Sequence, residues 1–367
     1  MKAKPIWVLG AMSGTSLDGV DAALLRTNGV DILEFGETAY RPYTKKEREV
    51  LRAALGKWQG EDGVAEAAEI VETAHVELIE SLPSADLVGF HGQTLAHDPK
   101  EGRTHQAGDG RVLARALDTP VVWDFRSNDV ELGGEGAPLA PAYHLAASKW
   151  AGLSESTAIL NLGGVGNLTL VDPSKDRPED DGALLAFDTG PANAPVNDLM
   201  LRTKGLSYDK DGAFARTGRI QRKIVKRFRR DPYFLRMPPK SLDRDGFAWL
   251  EDALRGFPDA SIAATLVEIA ATSVALGLQH ADPAPTRLLV TGGGRNNAYL
   301  MERIADLSGL PTFPIEEVGL DGDMLEAQAF AYLAARVAFG LPTSFPSTTG
   351  VSAAIGGGQI SRPNGEG

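Results

Sequence analysis

The sequence predicts an α/β protein built from two similarly organised halves. Three observations carry this. A strand, a small-residue turn, a second strand and then a third open the chain near residues 5–40, and the same plan returns near 158–187. Each opening leads into alternating helices and strands, the pattern of layered α/β domains. At 367 residues the chain is also too long for one average domain. The repeat is one of plan, not of residues.

In the first half, Ile6-Trp7-Val8-Leu9 marks a strand over 5–10, and Val20, Ala22 and Leu24 alternate as in a strand over 19–26. A third strand follows at 31–40. Helices are expected over 45–55 and 61–81, the second with Val64, Ala67, Ala68, Val71 and Ala74 at helical spacing. A strand at 86–90 enters His91-Gly92-Gln93-Thr94, Gly108-Asp109-Gly110 opens a helix, and 120–124 reads as a buried strand. The segment 125–139, with Gly133, Gly134 and Pro138, reads as a crossover or hinge.

In the second half, strands at 158–162 and 167–171 flank the turn Gly163-Gly164-Val165-Gly166, and a polar loop over 172–182 precedes a strand at 184–187. Helices are expected near 193–202, 217–230, 246–255 and 259–280. A strand at 287–291, the turn Gly292-Gly293-Gly294, a helix over 296–308, a strand at 311–315 and a helix over 323–338 complete it. The expected domains are therefore 1–135 and 136–340, with the tail beyond 340 folding back onto the first and an active site in the cleft between them. This is the logic of the two-domain actin-like, sugar kinase and Hsp70 ATPase fold, a duplicated pair of RNase H-like domains. A doubly wound Rossmann pair is the competing architecture. It is disfavoured because Gly164-Val165-Gly166 leads into a strand rather than a helix. GxxxxGK[ST] is absent, which excludes a P-loop protein.

Composition narrows the function. A net charge of −12 argues against nucleic acid, but not against a phosphorylated ligand met by backbone N–H groups and Mg²⁺. The chain has no cysteine, hence no disulfide, thiolate zinc site or catalytic thiol, and its six histidines show no HExxH spacing. The N-terminus lacks the apolar run of a signal peptide. No stretch of about 18 uncharged apolar residues is present; the best, 329–339, carries Arg336. A cytoplasmic protein with no membrane partner is expected, its oligomeric state open, a homodimer included.

The turn Ser13-Gly14-Thr15-Ser16 combines a glycine that admits an anion close to the backbone with hydroxyls and successive N–H groups. Asp18 and Asp21 suit a phosphate arriving with Mg²⁺, or are solvated acids of a tight hairpin. Asp188, in Phe187-Asp188-Thr189-Gly190, is placed at a strand end, where chemistry concentrates in open α/β sheets; an N-cap role is the alternative. Gly292-Gly293-Gly294 leaves room for a flat ring or a phosphate, more than a plain βα loop needs. Asp321, Asp323 and Glu326 begin a helix, where the dipole favours acids in any case. Arg126 suits a carboxylate or phosphate clamp, or a pair with Asp124 or Asp129.

Seven motifs in order, SGTSLDGVDAAL, GFHGQTLAHDP, GDGRVLA, DFRSNDVELGGEGAPLAP, NLGGVGNLT, FDTGPANAPVND and TGGGRNNAYLMERIA, closely resemble the anhydro-N-acetylmuramic acid kinase family, over residues 6 to 338. The resemblance implies the two-domain ATPase fold. It also implies a reaction in which ATP and water open 1,6-anhydro-N-acetylmuramic acid to N-acetylmuramic acid 6-phosphate, in peptidoglycan recycling. It assigns Gly14, Thr15, Ser16, Leu17, Asp18, Gly19, Val20 and Asp21 to the ATP phosphates, with Gly164 on the facing turn and Gly292, Gly293 and Gly294 toward the adenosine. Asp188 matches the catalytic base, Arg126 and Glu326 match sugar-pocket positions, and Asp18 is the candidate Mg²⁺ contact, directly or through water. Two departures stand out: Glu135 replaces a glutamine and Ala192 a glycine of the family pattern. The extra carboxylate is expected to weaken binding of an anionic sugar. Two rivals share the fold: a kinase for another sugar, which consumes no water, and an ATP-binding regulator of the Hsp70 or actin class.

Overall fold

The computed structural model describes residues 3–242 and 246–365. The chain divides into two compact units. Unit 1 comprises Met1–Gly152, Arg177–Asp181 and Met324–Gly367, and unit 2 comprises Leu153–Asp176 and Gly182–Asp323. These bounds differ from a single cut after residue 135. A helix that the sequence did not announce, Pro141–Trp150, belongs to unit 1, as does the helix Leu325–Ala338.

Unit 1 is built on a sheet ordered Gln359–Ser361, Val121–Trp123, Leu87–Asp98, Ile6–Ser13, Gly19–Thr27, Ile32–Pro42, with Arg103–Ala107 paired to Leu87–Asp98. The three N-terminal strands form an antiparallel meander. The other edge of Ile6–Ser13 continues in parallel through Leu87–Asp98 to Val121–Trp123. The tail strand Gln359–Ser361 closes that edge antiparallel.

The helix Leu325–Ala338 lies directly on this sheet because two strand residues have no side chain. Gly10 and Gly89 are register partners; a Cβ on Gly10 would collide with the Ala327 carbonyl oxygen, and one on Gly89 with that of Phe330. The helix Lys45–Ala54 starts at a capping box, in which Glu47 N–H donates to Thr44 Oγ1 (3.3 Å) and Thr44 N–H to Glu47 Oε2 (2.6 Å).

Unit 2 repeats the plan in the order Thr312–Pro314, Leu288–Thr291, Thr157–Leu162, Val165–Val171, Leu184–Pro191. Its first three strands are parallel and its last three an antiparallel meander. Shared strand order and direction in the two units make this the duplicated RNase H-like architecture of the actin-like, sugar kinase and Hsp70 ATPase fold.

Among the described residues one helix, Asp259–His280, is long and apolar enough to cross a membrane, a stronger candidate than 329–339. It is mostly buried, with Ala263, Val267, Ile269, Ala270 and Val274 inside the unit 2 core, so the core accounts for its composition.

Several elements run beyond or outside the expected bounds. The strand expected to stop at residue 90 runs on as Leu87–Asp98, with His91-Gly92-Gln93-Thr94 in its middle. The segment 125–139 is no hinge. It lies within unit 1 and holds the short helix Ser127–Glu131. Its glycines are pinned: buried Asp129 accepts from Gly136 N–H (2.6 Å) and Thr349 Oγ1–H (2.6 Å), and Glu135 N–H donates to Thr349 O (2.7 Å).

Candidate functional site

In unit 1 the hydroxyl turn grows out of a fixed base. Ser13, at the end of its strand, is buried; its Oγ donates to Gln93 Oε1 (2.5 Å) and lies 3.1 Å from Tyr43 OH. Leu17 N–H closes the turn on Gly14 O (3.1 Å). Leu17 itself takes φ 59°, a left-handed conformation costly for a leucine, because its side chain is drawn into the core. Asp18 O accepts from Tyr43 N–H (2.9 Å) and from Tyr40 OH (3.0 Å). Thr15, Ser16 and Asp18 are left exposed on this scaffold. A side chain built on Gly14 would meet nothing closer than Ser16 Oγ at 3.7 Å, so the turn is open where a ligand would approach. Gly19 differs: a Cβ there would collide with the Arg41 carbonyl, so it serves the sheet.

The strand Leu87–Asp98 links this turn to Arg126. Two residues before Gln93, buried His91 accepts at Nε2 from Arg126 Nε–H (3.0 Å) and donates from Nδ1 to Gly92 O (2.9 Å). Burial, then the Arg126 charge, holds His91 well below its ordinary pKa, so it is the neutral acceptor that this bond requires. Arg126 Nη1 donates to Gly136 O (2.6 Å). Burial pulls the guanidinium down to about 10, opposed by Glu326 and Asp129. Arg126 and Glu326 are thus brought together in unit 1, Glu326 on the exposed first turn of Leu325–Ala338. Arg126 pairs with neither Asp124 nor Asp129 in a direct bond: Asp124 accepts from Ser127 Oγ–H (2.5 Å) and Gln359 Nε2–H (2.8 Å).

In unit 2, Asp188 is not at the end of its strand. Leu184–Pro191 runs three residues further, and Asp188 pairs in register with Asn167. Asn167 Nδ2–H donates to Asp188 Oδ1 (2.9 Å) and Leu242 N–H to Asp188 Oδ2 (2.9 Å). Its backbone is held as well, N–H donating to Lys240 O (2.9 Å) and O accepting from Tyr233 OH (2.5 Å). Lys240 is buried; its ammonium donates to Tyr233 O (3.2 Å) and Arg236 O (3.1 Å), and burial lowers it to about 8. The carboxylate is thereby held by a donor at each oxygen and is half-buried. Asn167, Tyr233, Lys240 and the Leu242 N–H were not singled out from the sequence.

The other glycine turns of unit 2 converge on Asn193. Its N–H donates to Gly163 O (3.0 Å) and its Nδ2–H to Leu162 O (2.7 Å), while Ala192 N–H donates to Gly164 O (3.0 Å). A Cβ on Gly294 would sit 2.9 Å from Asn193 Nδ2. The three glycines 292–294 divide by role. Gly292 takes φ 73° and has no room for a Cβ against Asn161, and Gly294 has none against Leu162. Gly293 alone faces open space. Asp323 is committed to Arg295 (2.8 Å), which also holds Glu316 (2.8 Å). The methyl of Ala192 is accommodated, buried in the unit 2 core.

The chain matches the family model for anhydro-N-acetylmuramic acid kinase over residues 6–362. It is 58% identical over 364 residues to the anhydro-N-acetylmuramic acid kinase of Ruegeria sp. strain TM1040, covering 99% of this chain and 97% of the relative. It is 60% identical over 364 residues to the kinase of the same name from Cereibacter sphaeroides, covering 99% and 98%. Among solved structures it is similar to the (R)-2-hydroxyglutaryl-CoA dehydratase component A of Acidaminococcus fermentans. That likeness has a TM-score of 0.44 and 13% identity, and covers 91% of this chain and 99% of that one. The fold assignment rests on the sheet order, not on this likeness. With a family match along nearly its whole length and relatives of this identity, the chain belongs to the anhydro-N-acetylmuramic acid kinase family.

Proposed function

We propose that this chain is an ATP-dependent kinase that converts 1,6-anhydro-N-acetylmuramic acid and water into N-acetylmuramic acid 6-phosphate, a step of peptidoglycan recycling. Family membership across residues 6–362 carries the reading. The setting of Asp188 supports its finer part. A carboxylate oriented by Asn167 and the Leu242 N–H is suited to take a proton from water. That water attacks C1, the C1–O6 bond breaks, and O6 takes the γ-phosphoryl group while ADP leaves. Asp188 holds the proton until it passes to solvent.

The ATP contacts are assigned to the segment Gly14–Asp21, to Gly164 and to the turn at Gly292–Gly294. Of these glycines Gly293 alone faces open space, and at Gly14 an added Cβ would make only ordinary contacts, the nearest with Ser16 Oγ at 3.7 Å. Among the described residues no three acids or histidines gather as a metal cage. Mg²⁺ carried on phosphates needs only one or two protein carboxylates, and exposed Asp18 beside the hydroxyl turn fits that demand, directly or through water. When bound, the cation neutralises charge spread over the transferring phosphoryl group. Arg126 and Glu326 are assigned to the sugar. Because Arg126 spends Nε on His91 and one Nη1 hydrogen on Gly136 O, the remaining Nη1 and Nη2 hydrogens are what it can offer a carboxylate. An enzyme that draws on ATP in this way belongs in the cytoplasm.

Incubation with Mg-ATP and either the anhydro sugar or reducing N-acetylmuramic acid tests this reading. A sugar phosphate is expected from the anhydro form alone. Phosphorylation of the reducing sugar alone would instead make the chain an ordinary sugar kinase.

A further inference from the structure

Residues 216–240 carry ten lysines and arginines against one acid, Asp231, in a chain whose net charge is −12. Six of these cations, Arg222, Lys223, Lys226, Arg227, Arg229 and Arg230, are exposed on and just after the helix Arg222–Phe228. The helix is seated by buried Phe228, whose ring meets Phe234 (4.9 Å) and Phe247 (4.9 Å), so the charged side chains point away from the core. Nearby basic residues have acidic partners: Arg216 meets Glu302 (2.7 Å) and Arg303 meets Glu268 (2.7 Å). Among the described residues, Arg222, Lys223, Lys226, Arg229 and Arg230 form no ion pair with one another's neighbours or beyond.

Directly after this cluster come Leu235 and Met237, 83% and 75% exposed, more than any other large apolar side chain among the described residues. Arg236 stands between them, also exposed. Neither the fold nor the proposed chemistry uses these two side chains. A cluster of cations beside protruding apolar side chains is the combination that a negatively charged lipid surface selects: headgroups attract the charges and the acyl boundary accepts the apolar tips. A nucleic-acid groove asks for aromatic faces instead. Here Trp249 is already covered by Arg227 (4.1 Å) and Tyr233 is buried. The acidic remainder of the chain keeps other faces off such a surface and sets the orientation of approach.

We propose that the helix Arg222–Phe228 and the stretch Leu235-Arg236-Met237 form a reversible docking surface for anionic lipid headgroups. The full chain should co-sediment with vesicles of equimolar phosphatidylglycerol and phosphatidylcholine, release at high salt, and ignore pure phosphatidylcholine. Reversing Lys223, Lys226, Arg229 and Arg230 to Glu should abolish partitioning, each lost cation counting on the order of fivefold. Kinase turnover in free solution should stay at the wild-type level, which also reports correct folding. The pair Leu235→Ser and Met237→Ser should weaken partitioning by on the order of tenfold with the salt response retained. Wild-type protein that stays in the supernatant with anionic vesicles overturns the proposal. So does equal partitioning of the charge-reversed chain, or capture by single-stranded RNA without capture by vesicles.

Discussion

Asp188 owes its setting to groups far from it in sequence: Asn167 across the strand pair, and Tyr233, Lys240 and the Leu242 N–H on a later loop. Asp188→Asn keeps the side chain's shape, but it turns one of the two acceptor oxygens into a donor and removes the proposed base. Turnover should fall by on the order of 10²–10⁴ while ATP affinity, measured by calorimetry, stays the same; a variant retaining a tenth or more of wild-type turnover would acquit Asp188. Arg126 makes a second test. Arg126→Ala should raise KM for the sugar and leave that for ATP unchanged, and Arg126→Lys should not rescue it, since a point charge cannot hold His91 Nε2 and Gly136 O and still present a fork to a carboxylate. A rise in KM for ATP instead would move Arg126 to the phosphates. Asp188 and Arg126 drew notice in the sequence as candidates because each follows a strand pattern. Their partners were not. The register that sets Asn167 opposite Asp188 depends on a long polar loop, and a backbone N–H such as that of Leu242 leaves no mark on side-chain identity.

At the scale of elements, two kinds of glycine that look alike in the sequence separate in the structure. Gly89→Val should destabilise unit 1 by about 3 kcal/mol or more, because its side chain would enter the backbone of Leu325–Ala338. Gly14→Val should leave the melting temperature nearly unchanged and abolish binding of ATP analogues, because a Cβ there clashes with nothing, its nearest contact being Ser16 Oγ at 3.7 Å. Calorimetric melting and titration read both, and normal ATP affinity in Gly14→Val would place the phosphates elsewhere. Most strands and amphipathic helices were legible from periodicity. The helix Pro141–Trp150 was not, because Pro141 through Ser148 are all buried and no polar face alternates with an apolar one. The strand Arg103–Ala107 was missed for the opposite reason: four of its five residues are polar. The strand Leu87–Asp98 was read as ending at residue 90 because a glycine and polar residues follow; Gly92, at φ 72°, sits where the register with Ile6–Ser13 shifts.

Over the whole molecule the duplicated plan was visible in the sequence, while the units' bounds depend on chain crossings that pattern alone does not mark: the chain leaves unit 1 after Gly152 and returns to it at 177–181 and again from Met324. Unit 1 also buries three histidines that the sequence left ordinary. Burial lowers His75 and His144 to about 4, and His91 is held well below its usual range. Each is neutral when folded and free to protonate when unfolded, so the unfolded chain binds more protons below about pH 6.5. The stabilisation is present in full above that pH and is lost toward pH 4, by about 1.4 kcal/mol per pH unit for each histidine. Urea midpoints should therefore drop between pH 7 and pH 5, with amides of unit 1 losing the most protection from hydrogen exchange; unchanged midpoints would contradict the burial of these rings. The central claim, that water and not a sugar hydroxyl is activated, is tested most directly by isotope. With Mg-ATP and 1,6-anhydro-N-acetylmuramic acid in ¹⁸O water, the label should appear at C1 and be absent from the phosphate. The first anomer seen by NMR should be α, because a single displacement on the β-configured anhydro bridge inverts C1. Label in the sugar phosphate group, or a β-anomer first, would contradict the account.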